Sequence, residues 1–131
     1  MDAFWQSIVD AVAQLPDDKP VWDGIRDAIV TALKNSPDSA QSKRLSRVLH
    51  ESPDLRARHL DKQDRWRTVL TDGLVRRLRG PRARYRADLL AGVALAAFDS
   101  AIREWHHRRT SLVVLARQAL EEARPVTAEP G

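Results

Sequence analysis

The sequence contains no cysteine, and this absence removes several classes of site at once. Without a thiol, the 131 residues can form no disulfide framework, no thiolate metal site and no cysteine nucleophile. The same absence fits a reducing compartment, and we expect a cytoplasmic protein. No apolar run approaches the roughly 20 residues that a membrane-spanning helix needs. The N-terminus also lacks the basic start of a signal peptide.

Glycine and aromatic residues are scarce, with five glycines and 5% aromatics, whereas alanine, leucine and arginine are abundant. This composition favours helix throughout the chain, and the length predicts one domain. Seven prolines divide the sequence into intervals that carry helical periodicity. We therefore predict an all-α domain of about six helices over residues 1–124, followed by a disordered tail at 125–131.

Local signals place the helix ends. Serine, proline and aspartate follow one another at 36–38 and again at 52–54, which is the order of a cap and the first two positions of a helix. Gly80 and Pro81 predict the end of the fourth helix near Arg79. The fifth helix is predicted at about 83–107 and the sixth at about 111–124.

The stretch 86–105, RADLLAGVALAAFDSAIREW, is apolar on nearly every side, which is typical of a buried helix. Two series of residues, each with a spacing of seven, share one face of this helix. The first series is Ala87, Ala94 and Ala101, and the second is Ala91, Phe98 and Trp105. A small monomer cannot easily surround such a helix, so we expect part of it to contact a second copy. We assign Leu89 and Val93 to the monomer core instead. The alternative is that the alanines pack only within the monomer.

At family level the pattern resembles the C-terminal, ligand-binding and dimerisation domain of TetR-type transcriptional regulators. The resemblance is carried by LHESPDLRARHLDKQDRW (49–66), by the stretch 86–105 and by SLVVLARQALEEARP (111–125). DAFWQSIVDAVAQLP (2–16) resembles the end of the helix that leads out of the family's DNA-binding domain.

The resemblance implies that the last two helices pair with those of a partner in a four-helix bundle. It implies a homodimer and an unidentified small-molecule effector. We expect no enzymatic activity and no cofactor, because the sequence has no glycine-rich phosphate loop and no serine in a nucleophile-elbow context. DNA contact would come only from a helix-turn-helix domain, and nothing in these residues resembles one. The alternative is a stand-alone helical module that forms a heterodimer with a full-length regulator. The expected dimer interface comprises Ala94, Phe98, Ala101, Trp105, Leu112, Leu115 and Ala119.

The first half of the fourth helix has unusual polar residues on its inward face. His59, Gln63 and Trp66 follow the spacing i, i+4, i+7, with Leu70 next. Small-molecule cavities are mostly apolar with a few directed polar groups, so these residues and Val93 are our predicted ligand contacts. The alternative is a partly buried helix end at which His59 and Gln63 are hydrogen-bonded or wet.

Two further clusters carry weaker signals. Six arginines between 76 and 86 exceed the whole net charge of +4, and without them the rest of the chain carries −2. They suit a solvated surface and a helix C-terminus, with anion or nucleic-acid contact as the alternative. His106 and His107 are adjacent and point in different directions, so we predict no metal site.

Overall fold

The computed structural model describes residues 2–36 and 39–124 of the chain. This part contains helices only, which confirms the predicted all-α fold. None of the described helices is both long enough and apolar enough to cross a membrane. The six helices are α1 (Asp2–Ala13), α2 (Val21–Lys34), α3 (Ala40–Glu51), α4 (Pro53–Val75), α5 (Ala83–Trp105) and α6 (Leu112–Glu122).

Two predicted helix ends differ from the structure. α4 ends at Val75, and the residues after it form turns in which the amides of Arg77 and Leu78 donate to the carbonyl of Leu74. Gly80 has φ +106°, a conformation that a side chain would strain, so the turn between α4 and α5 requires glycine there although the helix ends five residues earlier than Gly80. α3 begins at Ala40 with a serine cap at 39, while the predicted start at 37–38 and the tail at 125–131 lie outside the described residues.

The core lies between α1, α2, α4, α5 and α6. The largest fully buried side chains come from four of these helices, because each presents one apolar stripe to the centre. Both alanine-containing series of α5 are buried, so their placement on one face is confirmed. The small alanines let α4 and α6 approach α5 closely. The fully buried large residues are Ile8, Val12, Ile25, Ile29, Leu70, Leu74 and Leu120.

The opposite face of α5 is exposed, contrary to our prediction for one of its residues. Leu89, which we placed in the core, is 50% exposed, and Tyr85 is 60% exposed. Ala96 is also exposed and Val93 is half-buried. The rotation of 100° per residue brings these four residues to one side of the helix, about half a turn from the buried alanines. α5 therefore has an inner face and a separate, mostly apolar outer face.

Several polar contacts join elements that are distant in sequence, and those of Trp22 and Arg77 are two examples. The indole Nε1 of Trp22 donates to the carbonyl of Leu120 at 3.0 Å, which ties α2 to the end of α6. Arg77 donates to Asp17 Oδ1 at 2.9 Å and to the carbonyl of Pro16 at 2.7 Å. This arginine, one of the six in the basic cluster, thus holds the loop between α1 and α2 against the end of α4.

α3 is attached more loosely than the other helices. None of its twelve residues, all of them described, is buried. Leu45 and Val48 are 60% and 53% exposed, so neither reaches the core. The helix packs mainly against α4, and it stands over the ends of α1 and α5 instead of sealing the core.

Candidate functional site

A cavity of about 420 Å³ lies beneath α3, bounded by α1, α2, α4 and α5. Its wall is mostly apolar, with three serines, two histidines and a glutamine among the lining side chains. The volume falls in the range of small-molecule sites. The lining residues are Phe4, Trp5, Leu33, Ser36, Ser42, Leu45, Ser46, Leu49, His50, His59, Gln63, Phe98, Ile102, Trp105 and Leu112.

Three aromatic rings form one wall of the cavity. Phe4 meets Trp5 edge-on with ring centroids 5.3 Å apart. Phe98 lies 5.5 Å from Phe4 and 5.6 Å from Trp5 by the same measure. Aromatic pairs at such distances stabilise each other beyond simple area burial, so this wall is a preformed apolar surface.

His59 supplies an unsatisfied polar atom beside the cavity. Its Nε2 is buried and finds no hydrogen-bond partner in the part of the chain that the structure describes. Burial, together with the nearby charge of His50, lowers the pKa of His59 below its ordinary value. The ring is therefore neutral near pH 7, and one of its nitrogens is left to pair with something else. Buried polar groups without a partner are uncommon and call for an explanation.

Three histidines from three elements meet beside the cavity, and two of them, His50 and His59, line it. The ring of His50 lies 5.1 Å from the rings of both His59 and His106, measured between centroids. Ser46 supports two of them, since its carbonyl accepts from His50 Nδ1 at 2.9 Å and its hydroxyl lies 2.8 Å from His106 Nε2. Burial lowers the pKa of His106 as well. On the other side, His50 Nε2 lies 3.4 Å from Asp99 Oδ1.

The predicted ligand contacts separate into two groups. His59 and Gln63 line the cavity. Trp66, Leu70 and Val93 do not line it, because α4 runs away from α3 and its later turns face α1 and α5. Leu70 is almost fully buried in the core, and Trp66 and Val93 pack against the core while half-buried.

The predicted dimer contacts lie mostly inside the chain. Ala94 is 1% exposed, and Ala101 and Leu115 are also buried, so their side chains have no free surface to offer. Phe98, Trp105 and Leu112 line the cavity, and Leu112 and Ala119 are only partly buried. The physical reason is that α4 and α6 of the same chain cover the alanine face.

The contribution of α3 was missed from sequence. Ser46, Leu49 and His50 line the cavity, and Leu45 lies at its rim, but the helix reads as largely polar. The available signal was the spacing of Leu45 and Leu49, which places both residues on the face that carries the cavity. His50 carries no pattern that pairs it with Asp99, 49 residues later in the chain.

The fold and the cavity define an all-helical domain that encloses a space of small-molecule size. Residues 19–127 match the family model of the MftR C-terminal domain, which is a C-terminal domain of the TetR type. The match spans most of the chain, so the chain belongs to this family. TetR-type C-terminal domains serve in general as effector-binding and dimerisation domains of regulators. No curated protein matches the chain.

Proposed function

We propose that this domain senses an apolar small molecule that enters the cavity beneath α3. The observation that carries the proposal is the buried, unpartnered Nε2 of His59 at the edge of a largely apolar space. An effector with one polar group would pair with that nitrogen and remove the cost of leaving it unsatisfied, about 1–3 kcal/mol. The role is binding rather than catalysis.

The cavity favours an effector with a hydrophobic body. Phe4, Trp5 and Phe98 offer ring surface on one side. The serines are less available, because Ser36 donates to the carbonyl of Ala32 and Ser46 is engaged with His106. Specificity for a polar group would therefore rest mainly on His59 and Gln63.

The loose attachment of α3 suits a helix that moves to admit the effector. Without buried residues, α3 can shift at little cost in core packing. Its contacts through Ser46 and His50 reach α5, so a shift of α3 would be felt at the residues around Asp99. Effector binding would then favour one arrangement of α3 and α5 over another, a population shift.

We place the homodimer contact on the outer face of α5 with the adjoining surface of α6. Tyr85, Leu89 and Ala96 expose apolar surface there, and Val114 of α6 is 44% exposed. The exposed side chains are large, and they lie on a helix that TetR-type domains use for dimerisation. Both points support an interface on the outer face of α5. Of the dimer contacts predicted from sequence, Leu112 and Ala119 keep some exposed surface. They would lie at the margin of the proposed interface. In TetR-type regulators, DNA contact belongs to a separate helix-turn-helix domain.

Titration with 8-anilinonaphthalene-1-sulfonate tests the effector cavity. Trp5 and Trp105 line the cavity and should contact a bound naphthalene ring, whereas Trp66 lies outside it. We expect saturable binding with one probe per chain and intact near-ultraviolet circular dichroism. Replacing Trp105 by phenylalanine should weaken probe binding, followed by the fluorescence of the probe excited directly, more than Trp66→Phe does. Absence of saturable binding, or equal loss in the two variants, would contradict the proposal.

A further inference from the structure

Ligand atoms of His50, His59 and Asp99 converge beside the cavity. One candidate ligand atom from each residue lies within 4.8 Å of the other two. The three residues come from α3, α4 and α5, so the folded chain brings together groups that are separate in sequence. All three side chains are partly buried, so bulk water competes less with them for a bound ion.

The orientation of His50 is the strongest observation. Its Nδ1 lies 2.9 Å from the carbonyl of Ser46, and because a carbonyl can only accept, Nδ1 carries the hydrogen. In the neutral ring, Nε2 then presents a lone pair, and this lone pair faces Asp99 Oδ1 at 3.4 Å. Two acceptors facing each other need a cation between them or a proton on the imidazole.

The geometry resembles that of metal-binding histidines. Such histidines usually donate their second ring N–H to a carbonyl or carboxylate, as His50 does to Ser46. Ligating carboxylates are commonly hydrogen-bonded in turn, and the second oxygen of Asp99 lies 3.0 Å from Arg103. Metal–nitrogen bonds of about 2.0–2.1 Å at tetrahedral angles separate neighbouring ligand atoms by roughly 3.3 Å. The distance between His50 and Asp99 is close to that separation.

His59 completes the set. Its Nε2 is buried and lacks a hydrogen-bond partner among the described residues, so this nitrogen is left free to bind a cation. His106 is held by Ser46 and packs against His50, so it supports the site without being one of the ligands.

We propose that His50, His59 and Asp99 bind a divalent first-row transition metal ion such as Zn²⁺, with an open coordination position toward the cavity. Two imidazoles and one carboxylate suit zinc, cobalt, nickel or iron better than magnesium or calcium. His50 and His59 line the cavity, so with the ion bound the polar group of an effector would coordinate the metal at the remaining position instead of pairing with His59 Nε2 directly. The inference does not require an organic effector, because the metal is tested alone.

Metal titration of the wild-type chain is the primary experiment. Co²⁺ should give visible absorption bands of four-coordinate geometry at one ion per chain, and Zn²⁺ should displace it. Mg²⁺ at the same concentration should neither bind nor displace. Absence of a one-to-one Co²⁺ spectrum would overturn the proposal, and this arm needs no variant.

Substitutions then identify the ligands. His50→Gln, His59→Gln and Asp99→Asn should each weaken Zn²⁺ binding at least about tenfold. His107→Gln is the matched control, because His107 is exposed and lies next to the cluster without belonging to the ligand set. Calorimetry should show unchanged affinity for that variant, with far-ultraviolet circular dichroism verifying that all four chains fold. Unchanged affinity in the three ligand variants, or an equal loss in His107→Gln, would overturn the assignment.

Discussion

His50 Nε2 lies 3.4 Å from Asp99 Oδ1, and this contact joins the last turn of α3 to the C-terminal half of α5. It is one of the few polar links that hold the loosely packed α3 over the cavity. His59 of α4 stands beside it with its Nε2 unpaired. The same small region therefore combines the wall of the cavity, an unsatisfied nitrogen and the contact that attaches α3. For this reason it is the centre of our functional interpretation.

Replacing His59 by leucine should raise the free energy of unfolding while lowering the affinity for the effector and for the metal ion. The variant removes a buried nitrogen without a partner, and satisfying or deleting such a group is worth about 1–3 kcal/mol. Urea denaturation in a metal-free buffer should show an unchanged or higher free energy of unfolding. Gln63→Leu, a change of similar size at another cavity position, is the control for general effects of added apolar surface. A loss above about 1 kcal/mol in His59→Leu would mean that His59 has a structural partner after all.

The two faces of α5 should respond in opposite ways to substitution. Leu89→Glu on the outer face should change monomer stability by less than about 0.5 kcal/mol but weaken the homodimer. Ala94→Leu on the inner face should cost about 1–3 kcal/mol through overpacking, because Ala94 is 1% exposed. Sedimentation velocity measures the dimer and chemical denaturation measures the stability.

Val48→Glu is the control for the dimer experiment, since Val48 is also an exposed branched apolar residue but belongs to α3. It should leave the oligomeric state unchanged. A wild-type chain that sediments as a monomer at micromolar concentration, or a dimer that survives Leu89→Glu and Val93→Glu together, would contradict the interface on the outer face of α5.

The comparison of these faces shows what the sequence can and cannot specify. The spacing of seven correctly groups Ala87, Ala94 and Ala101 on one side of α5, because helical geometry is local. It does not say what covers that side, since α4, α6 and a second chain are equally apolar partners. We assigned the alanine face to a partner and Leu89 to the core, and the structure places the alanines inside and Leu89 outside.

The cavity was predictable only where its residues follow one helical stripe. His59 and Gln63 were identified because they repeat at i and i+4 on α4. Trp66 continues the same stripe, yet it lies beyond the cavity because α3 covers only the first turns of α4. The pairing of His50 with Asp99 depends on how three helices pack, and no local pattern encodes it.

Trp22→Phe should destabilise the chain by about 1–2 kcal/mol more than Trp66→Phe. Trp22 donates to the carbonyl of Leu120, one of the final α6 carbonyls that lack a regular helical donor. Phenylalanine keeps the ring but leaves this buried acceptor without the indole donor. Thermal and urea denaturation of the two variants measure the difference. Equal stabilities would mean that the hydrogen bond between α2 and α6 contributes nothing.

Asp27→Asn should reduce stability at neutral pH by about 0.2–1 kcal/mol, and the deficit should vanish in acid. The Lys19 ammonium, 2.6 Å from the Asp27 carboxylate, and then Arg26 lower the pKa of that carboxyl below its ordinary value. As pH falls, the unfolded chain takes up its proton first, near pH 3.9. The stabilisation is therefore complete above that value and is lost as pH falls through the folded pKa. Denaturation of both chains at pH 7 and well below pH 3.9 tests this, and a constant deficit would contradict it.

Blocking the cavity tests the central claim most directly. Gln63→Trp places a large ring in the space beneath α3, whereas Asp64→Trp adds the same ring at the adjacent, exposed position of α4. Binding of 8-anilinonaphthalene-1-sulfonate to the two folded variants should be measured by calorimetry, which does not depend on the added tryptophan's fluorescence. We predict at least about a tenfold loss of affinity, or roughly 1.4 kcal/mol, for Gln63→Trp and none for Asp64→Trp. Equal affinity in the two variants would contradict a binding site in this cavity.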